Sequence, residues 1–127
     1  AVEYVGYVSG SERDQLLGGA RALLYPIQSK EPFGLVQVEA MMCGTPVAAM
    51  RLGAVPEIVD EGVTGFSASS ADEFAQTVLQ SFSLDRRRIR AYAEARFSAE
   101  RMAREYVQVY EDLVSRRAAG ADARRPR

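Results

Sequence analysis

Glu31–Val47, EPFGLVQVEAMMCGTPV, decides how the rest of this chain is read. It sets a carboxylate and a proline-aromatic-glycine corner ahead of a second carboxylate at Glu39, then breaks at Gly44-Thr45-Pro46 before an apolar run. Upstream, Ala22-Leu23-Leu24-Tyr25 is a short apolar run ended by Pro26; downstream, Val47-Ala48-Ala49-Met50 is another. Two such runs joined by a loop and a helix make a crossover unit of parallel strands. The sequence therefore predicts an α/β fold, a Rossmann-like parallel sheet with flanking helices. Ligands of such sheets lie beyond the carboxyl ends of the strands, which is where the Glu31–Leu35 loop falls.

The chemistry follows from what a helix start can hold. The first N–H groups of a helix beginning near Gly34 have no intrahelical acceptor, and the aligned peptide dipoles make that end partly positive. Phosphate or sugar oxygens suit such a seat, and a glycine lets them approach the backbone closely. Glu31 and Glu39, as ionised acceptors, suit hydroxyl donors rather than phosphate. An anion seat flanked by two diol acceptors fits a nucleotide sugar.

Around this centre, Val2–Val8 alternates and reads as a strand. Ser11 with Asp14 reads as a capped helix start, with Leu16, Leu17 and Ala20 on its buried side. Val47–Met50 is the third strand. Gly53 makes a corner, Pro56–Val59 a short helix, and Gly65-Phe66-Ser67 a brief edge strand. From Ser70 the chain turns helical. Phe74, Val78, Leu79 and Phe82 form one expected core stripe; Ile89, Tyr92, Ala93 and Phe97 form a second. After a cap at Ser98, a third runs through Met102, Tyr106, Val109, Tyr110 and Leu113. Ala118–Arg127 has no apolar period and is expected to be a disordered basic tail, leaving residues 1–117 as one partial domain.

At 127 residues the chain is of single-domain size, and no apolar run approaches a membrane-spanning length. The absence of histidine excludes a Ser-His-Asp triad and a histidine-bound metal; a single cysteine, Cys43, excludes an internal disulfide and reads as a packed thiol. Through Leu84, ten acids face four bases; beyond it, twelve arginines face seven acids. The arginines, Arg86-Arg87-Arg88 among them, are interleaved with acids and read as a solvated helix face. That argues against a nucleic-acid partner and leaves room for peripheral contact with an anionic membrane surface. The expected location is cytoplasmic, at the inner membrane face where such contact is made.

EPFGLVQVEAMMCGTPV, with Gly53-Ala54-Val55-Pro56-Glu57-Ile58-Val59 and Glu61-Gly62-Val63-Thr64-Gly65-Phe66 following in register, resembles the retaining glycosyltransferases of family four, whose signature is a glutamate, seven residues and a second glutamate. The resemblance runs from Val2 to about Leu113. It implies the later part of the second, donor-binding domain of a GT-B enzyme, with an acceptor-binding N-terminal domain elsewhere. It also implies sugar transfer from a nucleotide-diphosphate donor to an acceptor hydroxyl with retention of configuration, without a protein nucleophile, a cofactor or a metal. By position, Glu31 would be the catalytic residue and bind the transferred sugar. The backbone N–H groups of Phe33, Gly34 and Leu35 would meet the sugar and distal phosphate, Glu39 the ribose diol, and Val8 and Arg13 the base. The family's arginine and lysine that neutralise the leaving diphosphate have no counterpart here, so the chain alone is expected to be weakly active or inactive. Two further readings stand beside this one: a nucleotide-sugar-binding module without transfer, and an interaction domain using the basic helices.

Overall fold

The structure, a computed structural model, describes residues 1–122, with side chains through Arg117. It divides into two compact units, Ala1–Glu94 and a second from Ala95 onward.

The first unit is built on a three-stranded parallel sheet, β1 (Leu23–Tyr25), β2 (Val47–Met50) and β3 (Gly65–Ala68), in that spatial order. Leu23 pairs with Val47 and Val47 with Gly65, so the strands run in step. β2 is central and reads as an unbroken apolar run because both faces are covered; Val47, Ala48 and Ala49 are fully buried. The predicted parallel α/β architecture is the one found, and Gly65–Ala68 does form an edge strand.

Val2–Val8 is not a strand. Alternation specifies two faces but supplies no neighbour for the backbone N–H and C=O groups, and no strand of the sheet lies alongside this segment. Val2, Tyr4, Val5 and Tyr7 are exposed.

Helix α1 (Gly10–Gly19) starts one residue before the expected cap, with Ser9 at its N-cap, and no side chain caps it. Leu17 is its buried residue, whereas Leu16 is exposed. Helix α2 (Leu35–Met42) connects β1 to β2, and the short α3 (Val55–Ile58) carries Pro56 in its first turn. Helix α4 (Ala71–Ser81) begins with a reciprocal cap: Ser70 Oγ accepts from the Glu73 N–H and Glu73 Oε2 accepts from the Ser69 N–H.

The buried face of α4 is rotated from the expected stripe. Leu79 is 67% exposed, while Thr77 and Ser81 are buried. Their hydroxyls donate to carbonyls four residues back, Thr77 to Glu73 and Ser81 to Thr77, so these small side chains enter the core with their polar atoms satisfied. In α5 (Arg86–Phe97), Ile89 and Ala93 are fully buried, as the periodicity predicts.

In the second unit, Ser98 Oγ accepts from the Arg101 N–H at the start of α6 (Ala99–Asp122). The expected core stripe of this helix is not core: Met102, Tyr106, Val109, Tyr110 and Leu113 are all more than half exposed. An amphipathic helix supplies one apolar side and needs a second surface to bury it. The helix continues to Asp122, past the point where the tail was expected to lose structure; residues 123–127 lie outside the described residues.

Candidate functional site

β1 ends at Tyr25, and the chain reaches α2 through the loop that carries Glu31. Gly34 is the N-cap of α2 at φ 82° and ψ 64°, in the left-handed region. Two constraints hold a glycine there. A side chain would be strained by that backbone, and a Cβ would lie 2.9 Å from the Tyr25 hydroxyl and press on the Gln37 amide. Among the described residues, no protein acceptor takes the Gly34 or Leu35 N–H. These N–H groups are thus left without an acceptor from the described chain, as the first turn of a helix leaves them.

The Glu31 loop is held from the other side by Gly53, whose φ is 56°. A Cβ at Gly53 would collide with the Glu31 backbone, and the neighbouring Ala54 N–H donates to the Glu31 carbonyl at 3.1 Å. The corner after β2 therefore fixes the loop after β1. Glu31 is half-buried and close to Tyr25. Burial first, and then the hydrogen bond to Glu31, push the Tyr25 phenol above its ordinary pKa.

Glu39 stands one turn inside α2, facing α1. Arg13 Nη1 donates to Glu39 Oε1 at 2.7 Å, and Arg13 Nε and Nη2 donate to Asp14 Oδ1 at 3.3 and 3.1 Å. The Arg13 pKa is raised, by the Asp14 hydrogen bond first and by the Glu39 charge second. The pair borders an open cleft of about 700 Å³ between α1 and α2, which Gly18, Met42, Cys43 and Arg90 also line. Cys43 is half-buried and packs near Gly18, closer to the predicted packed thiol than to an exposed one.

The structure thus joins Arg13 to Glu39 and sets both in one cleft. It places Glu31, Phe33, Gly34 and Leu35 together at the α2 start, outside that cleft's lining, with Phe33 and Leu35 exposed. Val8 is half-exposed, just before α1, and does not line the cleft either.

Three residues escaped the sequence reading. Tyr25, a strand end in the sequence, sets its hydroxyl beside Gly34 and feels Glu31. Asp14 was read as a helix-start residue, and it braces Arg13. Arg86 was read as part of a solvated basic face, yet it donates to the carbonyls of Ala20 (2.7 Å) and Gly18 (2.6 Å) and to Thr45 Oγ1 (2.9 Å). Thr45 Oγ1 in turn donates to the Leu17 carbonyl at 2.6 Å. Together these bonds tie the C-terminal end of α1 to the turn after α2.

Residues 1–96 match the model of the family described as glycosyl transferases group 1. The chain belongs to this family. It is 32% identical over 117 residues to O-antigen chain mannosyltransferase B of Escherichia coli, covering 88% of this chain and 30% of that protein. It is also 32% identical over 100 residues to N-acetyl-alpha-D-glucosaminyl L-malate synthase of Bacillus anthracis, covering 72% of this chain and 26% of that protein. Among solved structures, Anabaena Alr3699/HepE in complex with UDP and glucose superposes with a TM-score of 0.71 at 28% identity, over 89% of this chain and 32% of that one. The chain therefore spans about a third or less of the length of these glycosyltransferase-family relatives. Its parallel sheet and flanking helices are a Rossmann-like portion of the GT-B architecture.

Proposed function

We propose that the chain is the donor-binding portion of a retaining glycosyltransferase that moves a sugar from a nucleotide diphosphate to an acceptor hydroxyl. The observation that carries this reading is the α2 start: a left-handed Gly34 with N–H groups open to a ligand, bracketed by Glu31 and Glu39, in a family member whose structural neighbour holds UDP and glucose.

In this reading the Gly34 and Leu35 N–H groups, with that of Phe33, take the distal phosphate and the sugar. The helix dipole adds to them without desolvating a charged side chain. Glu31 accepts from hydroxyls of the transferred sugar and is the residue closest to the reacting carbon. The Tyr25 contact and the Gly53 corner keep it there. Glu39 accepts from the ribose diol at the edge of the α1–α2 cleft, and the base lies toward Val8 and Arg13. Departure of the diphosphate and attack by the acceptor occur on one face of the sugar, through an oxocarbenium-like state, and the leaving phosphate takes the acceptor proton. No protein nucleophile, cofactor or metal enters this route.

The family's arginine and lysine that neutralise the leaving diphosphate have no counterpart in this chain, so on its own it should bind donor better than it transfers sugar. The acceptor is bound elsewhere, and the enzyme works in the cytoplasm, with any membrane contact peripheral.

Donor binding tests the site. Glu39→Ala removes a charged acceptor worth about 1.5–3 kcal/mol, so UDP-glucose affinity measured by calorimetry should fall roughly ten- to hundredfold. Unchanged affinity would remove Glu39 from the site.

A further inference from the structure

We infer that Arg13 is a positioning residue: through its ion pair it holds the Glu39 carboxylate in the orientation that receives the ribose hydroxyls of a nucleoside diphosphate. The inference rests on the donor-site reading above and assigns Arg13 a role that acts through Glu39, not one at the base.

Three features of the pair support it. First, the guanidinium is itself held. Its Nε and Nη2 both donate to Asp14 Oδ1, which leaves Nη1 directed across the cleft to Glu39 Oε1 at 2.7 Å. A planar fork anchored along one edge and bonded along another fixes an acceptor better than a flexible ammonium would. Second, only one carboxylate oxygen is used. Among the described residues no protein donor takes Glu39 Oε2, and a carboxylate held at one oxygen keeps full acceptor capacity at the other. Third, the pair does little for the fold. Its side chains are 39% and 34% exposed, at the rim of an open cleft, and ion pairs so placed contribute little to stability because solvent and salt screen them. What the bond does accomplish is to confine a side chain that would otherwise sample several rotamers before meeting a ligand. Pre-ordering of this kind raises affinity for the group that Glu39 reads.

The two roles open to Arg13 differ in a measurable way. A base contact contributes equally whether the sugar is ribose or 2′-deoxyribose. A contact that orients Glu39 contributes only where the diol is present.

The experiment compares UDP with 2′-deoxy-UDP by calorimetry on this chain, for the native sequence, Arg13→Ala, Arg13→Lys, Glu39→Gln and the double variant Arg13→Ala/Glu39→Gln. The native chain should prefer UDP by roughly tenfold or more, the value of a hydrogen bond to a charged acceptor. Arg13→Ala should weaken UDP and abolish the preference, and Arg13→Lys should restore part of it. In the Glu39→Gln background, Arg13→Ala should not change the preference further. An Arg13→Ala chain that loses affinity for both ligands alike, with its preference intact, overturns the inference in favour of a base contact. An Arg13→Ala chain that binds both as the native chain does overturns it as well. A native chain that binds neither ligand brings down the donor-site reading itself, and this inference with it.

Discussion

Single residues at the α2 start carry most of the local consequences. Tyr25 is the plainest case for pH. Its pKa is raised, by burial first and by Glu31 second, so the folded state favours the neutral phenol. The stabilisation is complete below the ordinary tyrosine value of 10.0 and is lost as pH rises through the higher folded value. In a spectrophotometric alkaline titration, Tyr25→Phe should remove a component that ionises above the ordinary tyrosine range; a loss from the ordinary range instead would count against the proximity of Glu31. Gly34→Ala is the matching test of backbone. The left-handed φ alone costs about 1–2 kcal/mol, and the clash with Tyr25 and Gln37 adds to it. The urea midpoint should drop accordingly, and a chain as stable as the native one would show that the cap relaxes.

At the scale of elements, Arg86 ties the end of α1 to the turn after α2. One guanidinium satisfies the Gly18 and Ala20 carbonyls at the end of α1 and the hydroxyl of Thr45 beyond α2. Arg86→Ala leaves these acceptors, some half-buried, without a donor, and should destabilise the chain by about 2–3 kcal/mol in urea unfolding. A change comparable to that of Arg87→Ala, whose side chain is exposed, would contradict the role. This clamp also shows where sequence reading stops. The strand runs Leu23–Tyr25 and Val47–Met50 and the helix between them were legible because apolar runs, Gly34 and Gly44-Thr45-Pro46 mark them locally. Arg86 lies 66 positions from Ala20, and nothing in an arginine-rich helix start marks one arginine as clamped and its neighbours as solvated. The pairing of Arg13 with Glu39 was hidden in the same way, since two residues each assigned to a ligand turned out to meet each other. Alternation in Val2–Val8 showed faces but no neighbour. The spacing in α4 pointed to large apolar residues where small hydroxyl residues, satisfied by their own helix, pack instead.

For the whole molecule, the buried apolar side chains among the described residues all lie between Leu17 and Ala93, inside the first unit. A chain ending at Phe97, which keeps α5 whole, should therefore retain a cooperative thermal transition. Loss of that transition would mean that the first unit is not self-sufficient. The same unit holds both glutamates, the Gly34 cap and the α1–α2 cleft, so its response to donor addresses the central claim directly. Amide resonances of the ¹⁵N-labelled chain can be followed as UDP-glucose is added. Gly34 and Leu35 should shift most, accompanied by amides around Arg13 and Glu39; shifts confined to other parts of the chain, or none at saturating donor, would contradict the assignment of this helix start as the donor seat.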